Sequence, residues 1–223
     1  PSTAACLLAL FAGAIGSTGL LFLYQAMTRG LMSIAAPVSA LLAAIIPIVV
    51  GAFTEGLPKL LTMCGFGLAL LAIWFISQSE GGVTDILAHI ADLRLPLLAG
   101  VGFGLYFVLM HEATRESTFW PMLFSRSGGM IIITTYMLIR REAWKVDRTT
   151  WPLMTMNAIF DVGGNFFYVL AGQLGRMDVA AILGSLFPVT TVLLAALVLK
   201  ERVTRVQSIG IVFAMIAIVL MTL

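Results

Sequence analysis

Long apolar stretches separated by short polar turns cover almost the whole chain. A helix needs roughly 20 mostly apolar residues to cross the hydrocarbon core of a bilayer, and the stretches have about this length. The eight predicted segments cover residues 4–27, 32–54, 59–78, 95–113, 119–139, 151–173, 178–199 and 204–223. Because most gaps hold eleven residues or fewer, we expect consecutive segments to be antiparallel. The predicted fold class is all-α, a polytopic membrane bundle of about eight transmembrane helices.

Prolines support these boundaries and predict irregular helices. Four of the eight prolines lie at the start of a segment, where the missing N–H is harmless. Three lie inside segments, and each frees a backbone carbonyl that must face protein or a water-filled cavity. We therefore expect helix kinks at Pro37, Pro47 and Pro188.

The longest gap between segments covers residues 79–94. Within it, Ile86, Ile90 and Leu93 recur at helical spacing with polar residues between them. This pattern is compatible with a short amphipathic helix at the membrane surface and equally with an ordinary solvated linker. In either case the gap separates the two parts of the chain.

The chain matches itself after a shift of 145 residues. The positions that match are Ala26, Gly30, Met32, Ala35, Ala36 and Leu41 with Ala171, Gly175, Met177, Ala180, Ala181 and Leu186, and Gly65, Ala69, Ala72 and Ile73 with Gly210, Ala214, Ala217 and Ile218. The shift moves each segment five places along, which is an odd number. The two copies must therefore cross the membrane in opposite directions. Inverted repeats are typical of secondary transporters, in which the binding site lies between the copies near mid-membrane.

The repeat also predicts the domain organisation. Residues 1–78 form a first copy with three helices, residues 79–94 a linker, and residues 95–223 a second copy with five helices. The two helices that open the second copy have no counterpart in the first. We therefore expect two further helices, on the order of 50 residues, to precede residue 1.

Composition agrees with a membrane protein and excludes several function classes. Hydrophobic residues make up 60% of the chain and charged residues 11%, compared with about 25% charged residues in soluble domains. The net charge of +2 includes no basic run that would indicate a nucleic-acid partner. Neither Cys6 nor Cys64 has a partner at metal-ligand or redox spacing, and no catalytic or nucleotide-binding motif occurs. We therefore expect no enzymatic activity, cofactor, metal site or nucleic-acid partner.

Three stretches resemble the drug/metabolite transporter superfamily in its EamA-like branch. The stretch with the most specific pattern is Leu174–Arg205, "LGRMDVAAILGSLFPVTTVLLAALVLKERVTR"; the others are Asp161–Ala171 and Gly30–Val50. The resemblance implies ten helices in two inverted halves, of which this chain lacks the first two. It also implies a multi-pass protein of the inner (plasma) membrane that exports or exchanges a small metabolite or drug. The turn at Glu55 departs from the pattern, because it lacks the basic residue that is present at Arg202.

Two charged residues, Arg126 and Asp161, fall well inside predicted spans. A charge at mid-bilayer costs about 2.5–3.5 kcal/mol on insertion scales, so it usually faces a cavity or a partner. At a rise of about 1.5 Å per residue, the depths of the two residues differ by about 8 Å, within reach of their side chains. Asn165 and Tyr168 continue the Asp161 face at i+4 and i+7. This stripe is expected to line a substrate cavity, to clasp two helices together, or to do both.

Five further residues are weaker candidates for lining a cavity: Tyr106, Tyr24, Gln25, Ser39 and Ser185. Simple packing would also explain Tyr106, and a position at the membrane interface would explain Tyr24. A serine hydroxyl in a membrane helix often bonds to its own backbone. His111, which ends the fourth segment, is compatible with a proton relay and with a solvated interface position.

Two functions are compatible with these observations. The first is secondary transport of a small-molecule substrate by alternating access in a lipid bilayer, with proton coupling if Asp161 is protonatable. The alternative is a non-transporting scaffold or receptor that uses the same bundle. Two orientations in the membrane remain possible. The basic loop around Arg140 and Arg148 favours a cytoplasmic position for that loop, which would place the C-terminus outside. The resemblance instead implies a cytoplasmic C-terminus.

Overall fold

The computed structural model describes residues 2–29, 32–76, 93–141, 147–194, 196–197, 200 and 203–222. Its helices are α1 (Thr3–Thr28), α2 (Met32–Thr54), α3 (Leu60–Ile76), α4 (Arg94–Ala113), α5 (Phe119–Arg140), α6 (Trp151–Leu174), α7 (Met177–Ser185), α8 (Phe187–Leu194) and α9 (Arg205–Thr222). A short 3-10 turn, Arg148–Thr150, leads into α6. Nearly all of the described chain is helical and none of it is a strand. The predicted all-α membrane bundle is therefore confirmed.

Most of the helices, with α7 and α8 taken together, have the length that a membrane span requires. Within the described residues, six helical stretches are long and apolar enough to cross a bilayer: α1, residues 35–54 of α2, α4, α5, the α7–α8 pair and α9. Helix α3 is apolar but has 17 residues, and α6 has 24 residues with several polar ones among them. Each of the eight predicted segments thus corresponds to a helical stretch. Ile86 and Ile90 of the predicted interfacial helix lie outside the described residues.

The internal prolines affect their helices differently. Helix α2 runs without interruption through Pro37 and Pro47, so kinks at these positions stay predictions. In the seventh segment, α7 ends at Ser185 and α8 begins at Phe187. The interruption lies directly before Pro188, which has no N–H to continue the helical hydrogen bonds.

Helices α3 and α9 pack reciprocally through two glycines. A Cβ atom added at Gly65 would lie 3.2 Å from the carbonyl oxygen of Ala217, and one added at Gly210 would lie 3.1 Å from the carbonyl oxygen of Ala72. The shift of 145 residues converts one contact into the other. The start of α3 meets the end of α9, so the two helices are antiparallel. Interchangeable contacts of this kind are typical of a two-fold relation, as the inverted repeat predicts.

Small residues bring the remaining helices close together. One core cluster joins α2, α3, α7 and α9, and a second joins α1, α4, α6 and α7. Helix α1 contacts the backbones of α4 and α5 through Gly19 and Gly13, because a residue without a side chain permits close approach in a membrane. The first half of α6, residues 151–162, is exposed. These contacts leave an open space between α1, α4, α5 and α6.

Candidate functional site

A cavity of about 500 Å³ lies between α1, α4, α5 and α6. Its wall on α4 is largely aromatic and contains Phe103, Tyr106 and Phe107. Helix α5 contributes Arg126, and α6 contributes Asp161 and Asn165, while α1 contributes mainly glycines and Ser17. The cavity therefore combines an aromatic side with a polar and charged side.

An ion pair crosses the polar side of the cavity. The Arg126 Nη1 atom lies 2.6 Å from the Asp161 Oδ2 atom, and Arg126 Nη2 donates to the Asp161 backbone carbonyl at 3.4 Å. The side chains are 42% and 50% exposed, so both remain open to a molecule in the cavity. The contact between Arg126 and Asp161 agrees with the sequence-based expectation that their depths in the membrane bring their side chains within reach of each other.

Asn165 extends this ion pair to a third helix. Its Nδ2 atom donates to the Asp161 carbonyl oxygen at 2.8 Å and to Asp161 Oδ1 at 3.2 Å. Its Oδ1 atom accepts a hydrogen bond of 2.7 Å from the Tyr106 hydroxyl. A continuous chain of polar contacts therefore runs from Tyr106 on α4, through Asn165 and Asp161 on α6, to Arg126 on α5. We call these four residues the polar chain.

Glycines on α1 and α5 make room for the polar chain. A Cβ atom added at Gly16 would lie 2.9 Å from the Tyr106 ring, and one added at Gly129 would overlap the Ser17 hydroxyl. The bare backbone at these positions therefore sets the ring position and keeps the cavity open. This glycine wall is not among the predicted site residues, although the glycine pair shortly after Arg126 is a sequence signal of close packing.

Tyr168 and the two candidate serines lie away from the cavity. Tyr168 is 8% exposed, and its hydroxyl donates to the Phe107 carbonyl oxygen at 2.8 Å. The Ser39 and Ser185 hydroxyls each donate to a carbonyl oxygen of their own helix, at 3.1 and 2.8 Å. All three are therefore held in helix contacts behind or beyond the cavity wall.

The structure divides the predicted site residues into two groups. Tyr24, near the end of α1, is 55% exposed, and neither Tyr24 nor Gln25 lines the cavity. The residues brought together in the cavity wall are Asp161, Asn165, Arg126 and Tyr106; those outside it are Tyr168, Tyr24, Gln25, Ser39 and Ser185.

An all-helical bundle with antiparallel, reciprocally packed helices, and a cavity with one aromatic and one charged side, defines a polytopic membrane protein. The family model described as "EamA-like transporter family" matches residues 93–223, more than half of the chain. The protein therefore belongs to the EamA-like transporter family, and this membership points to a transporter rather than an enzyme.

One solved crystal structure, described only as "Crystal structure of protein", is similar in fold. It aligns with a TM-score of 0.69 over 96% of this chain and 86% of that chain, at 14% sequence identity. No curated protein matches the chain. At this identity the structural similarity supports the fold alone.

Proposed function

We propose that this transporter moves a small metabolite or drug by alternating access between two inverted halves. The halves are residues 1–78 and 95–223, joined by residues 79–94, and the protein acts as an exporter or exchanger in the inner (plasma) membrane. The observation that carries the proposal is the polar chain, which lies in the wall of a cavity between membrane helices. Charged groups inside a span are costly unless they serve a cavity or a partner, and here they have both.

The cavity wall suggests the kind of molecule that binds. Arg126 and Asp161 balance each other in charge, so a molecule with no net charge enters without leaving an uncompensated charge behind. The Tyr106 and Asn165 groups offer hydrogen bonds, and the rings of Phe103 and Phe107 offer an apolar surface. The proposed substrate therefore has an uncharged or internally balanced polar end and an apolar end.

Asn165 provides the test of this proposal. Asn165→Ala removes the link between Tyr106 and Asp161 and should strongly reduce transport, yet its cost in stability should be small because interhelical hydrogen bonds in membranes average about 0.6 kcal/mol. Asn157→Ala is the matched control, since Asn157 lies on the same helix, is exposed and does not line the cavity. It should transport like the wild type.

The assay uses proteoliposomes loaded with a defined mixture of small metabolites, with release followed by mass spectrometry. Release of one or more compounds faster than from protein-free liposomes, reduced by Asn165→Ala and not by Asn157→Ala, would support the proposal. If no compound leaves faster than from protein-free liposomes, the bundle acts as a scaffold or receptor instead.

Proton coupling is proposed at Asp161, the carboxyl group in the cavity wall. An imposed pH gradient should change the initial rate of release from the same liposomes. Asp161→Asn cannot exchange a proton at this position, so its residual transport should be independent of the gradient. A gradient effect that persists in Asp161→Asn would place the coupling elsewhere.

A further inference from the structure

A second group of polar side chains lies at the end of the bundle where α2, α4 and α6 end, which we call the Glu55 face. Its centre is the Arg176 guanidinium group, which donates to Asp178 at 2.8 and 3.1 Å and to the Gly56 carbonyl oxygen at 2.8 Å. The Glu55 carboxylate lies 3.9 Å from Arg176 Nε. Hydrogen bonding to Asp178 raises the pKa of Arg176, so the guanidinium stays charged.

Glu55 joins three parts of the chain at this face. Its Oε1 atom accepts a hydrogen bond of 3.3 Å from the backbone N–H of Met177, at the start of α7. The same oxygen lies 3.5 Å from His111 Nε2, at the end of α4. A carboxylate at the first residues of a helix is also favoured by the helix dipole. One side chain at the end of α2 therefore contacts both α4 and α7.

Asp178 fixes the start of α7 against α2. Its side chain is fully buried, and a Cβ atom added at Gly51 of α2 would lie 3.1 Å from its Oδ2 atom. Its partner Arg176 compensates its charge directly, as a buried carboxylate requires. Asp178 and Arg176 thus form a unit that does not depend on Glu55 for charge balance.

Helices α4 and α6 are in contact between the cavity and the Glu55 face. His111 follows Tyr106 of the polar chain by five residues, about 7.5 Å further along α4. Between these two levels, the rings of Phe107 and Tyr168 are in contact, with centroids 4.6 Å apart. At the level of His111, a Cβ atom added at Gly172 of α6 would lie 3.2 Å from His111 Nδ1. These contacts leave α4 and α6 packed against each other from the level of the cavity to the Glu55 face.

We propose that Glu55, His111, Arg176 and Asp178 form a gate that closes the cavity toward the Glu55 face. Glu55 belongs to the first copy of the repeat and the other three residues belong to the second. The proposal rests on the proposed function, because alternating access moves one copy against the other. Contacts between the copies at one face must then break before that face opens.

Because of this arrangement of charges, a substitution at Glu55 should weaken the gate without disturbing the rest of the Glu55 face. Glu55→Gln removes the negative charge that faces Arg176 and weakens the polar contact with His111 Nε2, yet it keeps a carbonyl oxygen for the Met177 N–H. Arg176 remains paired with Asp178, so the substitution leaves no buried charge without a partner. The variant should fold, and its gate should open more often. His111→Gln removes the other side of the same contact and provides a second variant.

A cavity cysteine reports the state of the gate without knowledge of the substrate. In a background that carries Cys6→Ala and Cys64→Ala, Ser17→Cys places one thiol in the cavity wall. A membrane-impermeant maleimide is added to vesicles of each orientation, so that it reaches either the Glu55 face or the opposite face. We expect slow labelling from the Glu55 face in the parent and several-fold faster labelling in Glu55→Gln and His111→Gln.

Arg115→Gln is the matched control. Arg115 lies just beyond the end of α4, is exposed, and pairs with Glu112 at 3.0 Å outside the gate. Labelling from the Glu55 face should not change in this variant. Unchanged labelling in both gate variants would overturn the gate while the cavity remained on the access path. Equal acceleration in Arg115→Gln would also overturn it, by showing a general loosening of this face.

A different result of the same experiment would reject the proposed function itself. If the cysteine at position 17 is not labelled from either face in the parent or in any variant, the cavity is not on an access path, and both alternating access and its gate are rejected.

Discussion

Substitutions in the Arg126–Asp161 ion pair can show whether the pair only holds α5 and α6 together or also binds a substrate in the cavity. Asp161→Ala leaves Arg126 without its partner inside a span. A charge at mid-bilayer costs about 2.5–3.5 kcal/mol on insertion scales. Arg126 lines the cavity and its side chain is 42% exposed, so water that enters the cavity offsets part of this cost, and we expect a loss of about 1.5–2 kcal/mol in the free energy of unfolding.

The double variant Asp161→Ala with Arg126→Leu removes both charges together. No charge is then stranded, and the lost ion pair and hydrogen bonds should account for about 1 kcal/mol or less. The double variant should therefore be more stable than Asp161→Ala alone. Unfolding of the purified protein in mixed detergent micelles, followed by tryptophan fluorescence, measures this difference as a double-mutant cycle.

Transport by the double variant decides the role of the pair. If Arg126 and Asp161 contact the substrate, the double variant should be folded but should not transport. The same proteoliposome release assay makes this measurement, with Asn157→Ala as a positive control. Full transport by the double variant would refute the cavity role and leave the ion pair as a helix clasp.

Two other predictions concern packing. Gly210→Ala should destabilise the fold by about 1–3 kcal/mol, because its Cβ atom would lie 2.9 Å from the Ile76 backbone nitrogen. Thermal unfolding measures this loss. The control is Gly67→Ala, which should be nearly neutral because its Cβ atom would meet nothing within 4 Å. Ser39→Ala and Ser185→Ala should leave release rates unchanged, since each hydroxyl donates to a carbonyl oxygen of its own helix and neither residue lines the cavity. A strong loss of transport in either variant would contradict the positions that the structure gives these residues.

The sequence was sufficient to predict the helices and the main ion pair. Apolar length sets a membrane helix, and the predicted segments agree with α1 to α9 within a few residues. The pair of Arg126 and Asp161 was predictable for a related reason. Charges inside spans are so costly that few occur, and a constant rise per residue converts their positions into depths.

Helical spacing was a weaker guide to the cavity wall. Tyr168 shares a stripe with Asp161 and Asn165, but it lies further along α6, where α4 is already in contact. Its hydroxyl therefore bonds to the Phe107 carbonyl oxygen rather than reaching the cavity. A stripe predicts which side of a helix a residue occupies, whereas the neighbouring helix decides which part of that side stays open.

The polar residues of the Glu55 face could not be paired from the sequence. Glu55 and Arg176 are separated by most of the chain and lie in turns, where charged residues are ordinarily solvated. Only the packing of α2 against α7 places them together. Local spacing carried no signal for this contact, although the alternation of antiparallel spans placed both turns at the same membrane face.

Helix α4 physically connects the cavity and the proposed gate. Tyr106 bonds to Asn165 at the cavity, and His111 lies against Glu55 at the Glu55 face. On the proposed mechanism, a bound molecule shifts α4 at Tyr106, and because a helix is a stiff element, the same shift moves His111 relative to Glu55. Thermodynamic linkage makes this coupling reciprocal, so a change in the gate must alter binding in the cavity by the same factor. On the proposed mechanism, one helix therefore couples occupation of the cavity to opening of the Glu55 face.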